Sequence, residues 1–350
     1  MAEQYIAAAV TNTILPTRDE NLARLDEMLA MIRLACAGTL PVRLVGLGEF
    51  SLQGYTEKAP TSIPGPETDF VGGMAKKYDC FIIGDLGRVR RPGIPDDRLF
   101  NELFVAAPSG DVIYRRAKLQ LEPLEANITT TPHDIWDRWV EVHGGGLDAL
   151  FPVVDTEIGK IGAMSCMEGS YPEIARGLAI NGAEVLYRVN YHEPFVGNGV
   201  WEVQNRARAL DNTCYLVAPT GGAAVFAGTQ RAFDIHGGHA MVVDYQGRIL
   251  AQVDSNYECF AAAVIDVESL REYRARVVGI GNFVKDLRTE CYRPLYEREI
   301  YPKNLRLHGP LAAREMNDPL PDEEVSVLRG VIQGLIDKGV WKAPQRRMGR

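Results

Sequence analysis

Short apolar runs at residues 4–10, 41–47, 80–84, 184–189, 214–219 and 261–266 are too brief for helices and too continuous for surface strands. They predict strands buried on both faces. Between them the period changes. Leu22, Leu25, Met28, Leu29, Ile32 and Ala35 recur at helical spacing, Thr17-Arg18-Asp19-Glu20 ahead of them has the form of a capping box, and Gly38 marks a stop. Further helices are expected within residues 68–78, over 172–181 before Gly182, and over 199–212. Residues 100–107 and 112–116 flank Pro108-Ser109-Gly110-Asp111 as a hairpin. Residues 240–244 and 249–253 do so around Gln246-Gly247, and 151–155 and 160–165 form a further pair.

Strands and helices thus alternate in two similar halves, the pattern of a layered α/β protein. Residues 127–150 interrupt it with His133, Trp136, Trp139, His143 and three successive glycines. They read as a long loop with one helical turn, a length that in compact domains is often functional. Past residue 276 the chain turns rich in Arg, Tyr, Pro and Asn and keeps one amphipathic helix near 322–337. The expected organisation is a body over 1–276 and a C-terminal arm over 277–350 that packs on the body or on a neighbouring subunit.

Composition narrows the function. The 350 residues are 46% hydrophobic and 24% charged, with a net charge of -8 and no long Lys/Arg run, which argues against nucleic acid or an anionic membrane as partner. No stretch approaches the about 18 apolar residues of a membrane span, and the N-terminus lacks the pattern of a signal peptide. Six cysteines occur without a C-x-x-C pair or zinc-type spacing, so no metal or other cofactor is expected. Free thiols in a reducing cytoplasm fit this usage.

Candidate chemistry lies at strand ends, where ligands of layered α/β proteins bind. Glu49, Lys118 and Cys166 each follow a strand. Taken singly, a solvated acid, a solvated base and a small buried thiol are ordinary. Together they offer a nucleophile, a proton shuttle and a positive charge, the three things that cleavage of a carboxamide needs.

Gly48-Glu49-Phe50-Ser51-Leu52-Gln53-Gly54-Tyr55 resembles the glutamate motif of the nitrilase superfamily, the carbon–nitrogen hydrolases. It is closest to the aliphatic amidase and formamidase branch, with Gly48 in place of that branch's proline. Tyr114-Arg115-Arg116-Ala117-Lys118 resembles the lysine motif, and Cys166-Met167-Glu168-Gly169-Ser170-Tyr171-Pro172-Glu173-Ile174 the amidase cysteine motif. Residues 206–212 and 238–244 resemble the following helix and the late hairpin, so the likeness runs in order from about residue 4 to 276.

The resemblance implies a four-layer α-β-β-α sandwich and a Glu49-Lys118-Cys166 triad with no cofactor. It also implies a second glutamate, assigned to Glu125 in Pro123-Leu124-Glu125, with Glu122 as the alternative. Cys166 is expected as a thiolate, favoured by the ammonium and by the N-terminus of the helix after it. Glu49 would shuttle protons, Lys118 and the Met167 N–H would hold the oxyanion, and Glu125 would orient Lys118 and the substrate. Glu168, Tyr55 and Tyr191 are substrate-contact candidates, with a salt bridge to an arginine such as Arg188 as the other reading of Glu168. His192, His236 and His239 are not expected to be ligands.

The implied activity is a cytoplasmic thiol amidohydrolase that converts a small primary carboxamide to acid and ammonia and assembles as a homo-oligomer. The alternatives are a nitrilase or N-carbamoyl amidohydrolase with the same triad, an acyltransferase, or a non-catalytic scaffold.

Overall fold

The computed structural model describes residues 4–54, 59–191, 198–225, 228–234, 237–309, 311, 314–316 and 318–345. Its centre is two sheets, each built around a set of parallel strands. In the first, Tyr5–Ile14, Val42–Gly46 and Phe81–Arg90 run parallel. The hairpin Phe100–Ala106 and Val112–Ala117 extends that sheet antiparallel on one side. Thr220–Val225 and Ala232–Asp234 extend it on the other, and Cys259–Ile265 pairs antiparallel with Tyr5–Ile14. In the second sheet Gly159–Ser165, Val185–Val189 and Tyr215–Ala218 run parallel. Val154–Thr156 adds to one edge, and Met241–Val243 with Ile249–Gln252 to the other.

The period-2 geometry of a strand explains the apolar runs, because alternate side chains enter different layers. Tyr5, Ala7 and Ala9 point into a core shared with Ile83, Leu103, Val105, Ile161, Val185, Tyr187 and Val217, so the sheets pack face to face. Ala8, Val10, Ile82 and Phe104 point the other way, onto helices Arg18–Ala35 and Pro66–Tyr78. Met164, Leu186 and Leu216 pack on helices Pro172–Ile180 and Val200–Asn212. The layers therefore run α-β-β-α, the expected fold.

The capping box forms: the Glu20 N–H donates to Thr17 Oγ1 at 3.4 Å, and the Thr17 N–H to Glu20 Oε2 at 3.1 Å. Residues 127–150 differ from the expected loop. They carry the 3-10 turn His133–Ile135 and two helices, Trp136–His143 and Leu147–Leu150. Ile135, Trp139 and Val142 recur at helical spacing and pack on Ile94, Phe100 and Ala117, but the helix is too short and too closely bounded by glycines to show a pattern. Strand Thr220–Val225 and helices Val267–Arg276 and Thr289–Tyr296 were not expected either. The strand is built of small residues. At Gly222 a Cβ would stand 2.5 Å from the Asn256 carbonyl, so close backbone approach, not a row of large apolar side chains, places it. Helix Asp322–Asp337 lies where the amphipathic pattern put it. Among the described residues no helix is long and apolar enough to cross a membrane.

Thr17→Ala should lower stability by about 1 kcal/mol in urea unfolding, because the cap holds N–H groups that lack intrahelical partners. It should leave the strand ends, and any activity there, unchanged.

Candidate active site

Glu49 follows strand Val42–Gly46, Lys118 follows Val112–Ala117 and Cys166 follows Gly159–Ser165. Sheet packing brings the three ends together. Lys118 is fully buried, and its Nζ donates to Glu49 Oε1 at 3.1 Å and to Glu125 Oε2 at 2.6 Å. Asn101 Nδ2 lies between the carboxylates, donating to Glu49 Oε1 at 3.2 Å and Glu125 Oε1 at 2.9 Å. Ser165 Oγ donates to Glu49 Oε1 at 3.1 Å. The other Glu49 oxygen, Oε2, is buried and accepts no hydrogen bond among the described residues. Of the two candidate acids, Glu125 faces Lys118, while Glu122 accepts from the Leu124 N–H at 2.8 Å and caps the 3-10 turn Pro123–Asn127.

Cys166 has φ +50°, in the left-handed region that side chains avoid, at a cost of about 1–3 kcal/mol. The elbow is held by its surroundings. The sulfur donates to Asn190 Oδ1 at 3.3 Å and is approached by the Tyr191 N–H, and Arg188 Nη2 donates to the Cys166 carbonyl at 3.3 Å. Met167 is the second residue of the 3-10 turn Cys166–Ser170, so its N–H is among those that a turn's own carbonyls do not reach.

Two expectations about the thiol need correction. The helix after the elbow begins only at Pro172, so its N-terminus is not at the sulfur. The thiol is also not lowered. Burial first, then Glu49 and Glu125, push it well above its ordinary value, and Lys118 and the Tyr191 N–H only partly oppose them. Burial alone would lower Lys118, but Glu125 and Glu49 outweigh it and hold it as an ammonium. Burial also raises Glu125, with Lys118 opposing and Glu49 adding.

Glu168 takes the ion-paired place of its two readings, though with a different arginine. It is fully buried, and its two oxygens accept from Arg116 Nη1 at 2.7 Å and Nη2 at 2.8 Å, from the Ser165 N–H at 2.8 Å and from the Leu119 N–H at 2.7 Å. Four donors leave no lone pair for a substrate. Its arginine is Arg116, not Arg188. Because Ser165 precedes Cys166 and Leu119 follows Lys118, Glu168 ties the strand before Cys166 to the strand before Lys118. Tyr191 is half-buried and meets Phe50 edge-on with ring centroids 5.3 Å apart. Tyr55, His192 and His236 lie outside the described residues. His239 Nδ1 pairs with Asp254 at 3.1 Å.

The glutamate word is explained residue by residue. A Cβ at Gly48 would stand 2.8 Å from the Thr220 carbonyl, and the Gly48 N–H donates to Asn12 Oδ1 at 2.8 Å, a bond that proline could not make. Gln53 clamps Gly87, donating to its carbonyl at 3.1 Å and accepting from its N–H at 2.7 Å.

Four residues of the site escaped the sequence reading: Asn101, Ser165, Asn190 and Asp85. Asp85 stands in the apolar strand Phe81–Arg90, 1% exposed. Burial and then Glu49 raise its carboxyl well above the usual range, against Lys118. A lone acid within Ile82-Ile83-Gly84-Asp85-Leu86 was the available signal. Among the described residues no group of three or more His, Cys, Asp and Glu side chains is placed to hold a metal ion.

The arrangement offers a thiol beside a carboxylate with an open oxygen and a buried cation, which suits acyl transfer from an amide. The family model for carbon-nitrogen hydrolases matches residues 6–275. A deaminated glutathione amidase from Synechocystis is 27% identical over 278 residues, 78% of this chain and 96% of that relative. A formamidase from Bacillus thuringiensis is 25% identical over 327 residues, 85% of this chain and 90% of its own length. A carbon-nitrogen hydrolase from Helicobacter pylori superposes with a TM-score of 0.67 at 22% identity, covering 85% of this chain and 99% of its own. The chain thus belongs to the carbon–nitrogen hydrolases of the nitrilase superfamily and is a hydrolase of C–N bonds.

Proposed function

We propose that the protein is an amidase that hydrolyses a small primary carboxamide to a carboxylic acid and ammonia through an acyl-thioester on Cys166. The observation that carries this reading is the convergence of Cys166, Glu49, Lys118 and Glu125 on one buried centre. The curated relatives described above are themselves named amidase and formamidase.

Glu49 takes the Cys166 proton as the sulfur attacks the amide carbon. The S–C bond forms, and negative charge on the carbonyl oxygen is met by Lys118 and the Met167 N–H. Glu49 then protonates the nitrogen, the C–N bond breaks and ammonia leaves. Water attacks the thioester, giving one proton to Glu49. The acid departs, and the proton returns to sulfur. Glu125 holds Lys118 and accepts from the substrate amide. Glu168 acts on the positions of Lys118 and Cys166 rather than on substrate. Phe50 and Tyr191 form an apolar wall for the acyl group. Val278 and Ile280, 86% and 92% exposed on the arm, are side chains that a second copy in a homo-oligomer would cover.

Ammonia release should be seen from small primary amides across a panel of amides and matching nitriles, and should vanish in Cys166→Ala. Lys118→Ala should lose about 10²–10³ in kcat, the usual cost of one oxyanion donor. Turnover of nitriles with the matching amides left intact would instead make the protein a nitrilase. Because the thiol is raised above its ordinary 9.0, the wild-type minus Cys166→Ala ultraviolet difference should show no thiolate absorbance at neutral pH and gain it only above pH 9. Thiolate absorbance already saturated at pH 7 would contradict that charge balance.

A further inference from the structure

Glu125 sits on a weak element. The 3-10 turn Pro123–Asn127 is five residues long, and such turns have poor internal hydrogen bonding and carbonyls left over at their ends. Yet Glu125 must hold a buried ammonium at 2.6 Å. The missing support comes from far along the chain. Arg306 Nη2 donates to the Ala126 carbonyl at 2.6 Å and Nη1 to the Thr129 carbonyl at 2.7 Å, and the guanidinium is also paired with Glu324. Arg306 is itself fixed by its backbone: its N–H donates to the Asp134 carbonyl at 2.9 Å, and its carbonyl accepts from Arg98 Nε at 2.9 Å. Asn127, the last residue of the turn, is gripped as well. Its Nδ2 donates to the Asp318 carbonyl at 2.8 Å, and its Oδ1 accepts from Arg314 Nε at 2.9 Å.

The same segment reaches two more neighbours of the site. Leu307 packs on the cluster of Phe100, Ala117 and Trp139. Phe100 precedes Asn101, and Ala117 precedes Lys118. The arm thus touches the chain next to Glu125, Asn101 and Lys118, three of the four members of the hydrogen-bond set that also holds Glu49.

We propose that the C-terminal arm is an intramolecular brace of the active centre, and that Arg306 is a positioning residue that sets the Lys118–Glu125 contact through the Ala126 and Thr129 carbonyls. This rests on the amidase reading of the site above. It gives the extension beyond the family-matched residues 6–275 a catalytic role within its own chain. A guanidinium suits the task because it spans two carbonyls in a fixed plane, which an ammonium cannot do.

The test is Arg306→Ala in the full chain, with methylguanidine added back at millimolar concentration, beside Arg306→Lys and Arg314→Met. Arg306→Ala should lose about tenfold to a hundredfold in kcat, the scale of a small misplacement of a catalytic group, with KM within about twofold. Methylguanidine should restore part of the kcat, Arg306→Lys should recover less than half of the loss, and Arg314→Met should lose about threefold. A kcat within about twofold of wild type in folded Arg306→Ala, whatever its Tm, overturns the brace and leaves the amidase reading standing. Should Arg306→Ala not fold, Arg314→Met decides by the same kcat criterion. Should the wild type release no ammonia from any amide, the amidase reading fails, and the brace is judged by iodoacetamide alkylation of Cys166 followed by peptide mapping. Alkylation slowed at least threefold in Arg306→Ala supports the brace, and an unchanged rate overturns it.

Discussion

The structure turns on one buried ammonium. Lys118 has no access to solvent, and a cation removed from water costs several kcal/mol unless partners replace its hydration. Glu49 and Glu125 are those partners, and Asn101 holds the two carboxylates at a spacing that one Nζ can bridge. Satisfying Lys118 therefore fixes the two acids, and with them the geometry in which Cys166 works.

Charge counting explains the resting state. Two carboxylates against one ammonium leave the centre with one net negative charge. Ionising the thiol or Asp85 to solvent would add a second in a region of low dielectric, the sense in which burial and Glu49 raise both groups. Moving the proton from sulfur to Glu49 leaves the net charge unchanged. The fold thus disfavours a resident thiolate, and in the proposed reaction one forms only as the sulfur attacks. The strand ends that carry these groups are cross-braced by the Arg116–Glu168 pair, whose acid also accepts the N–H groups flanking both Lys118 and Cys166.

Part of this was legible in the sequence. An unbroken apolar run placed the strand end at Glu49, hairpin turns placed those at Lys118 and Cys166, and the distinctive words around them named the family. Glu125 could not be separated from Glu122, because a 3-10 turn has no long period to fix which acid points inward. Glu168 could be read as a substrate contact or as one half of an ion pair, and its partner, Arg116, was not singled out because it is distant in sequence. Asn101, Ser165 and Asn190 are small polar residues at ordinary positions, and only strand pairing and sheet packing bring Asn101 and Ser165 to Glu49 and Asn190 to the thiol. Strand Thr220–Val225 was invisible for a related reason, since close backbone contact at its glycines, not side-chain pattern, defines it.

The most direct test of the central claim is rapid acid quenching of the enzyme during turnover of a small primary amide, followed by mass spectrometry of its peptides. The account predicts the substrate's acyl group, without its nitrogen, on the peptide that contains Cys166. Turnover with the acyl group on another residue, or with no covalent adduct at any quench time from an amide whose acyl-thioester hydrolyses slowly, would contradict it.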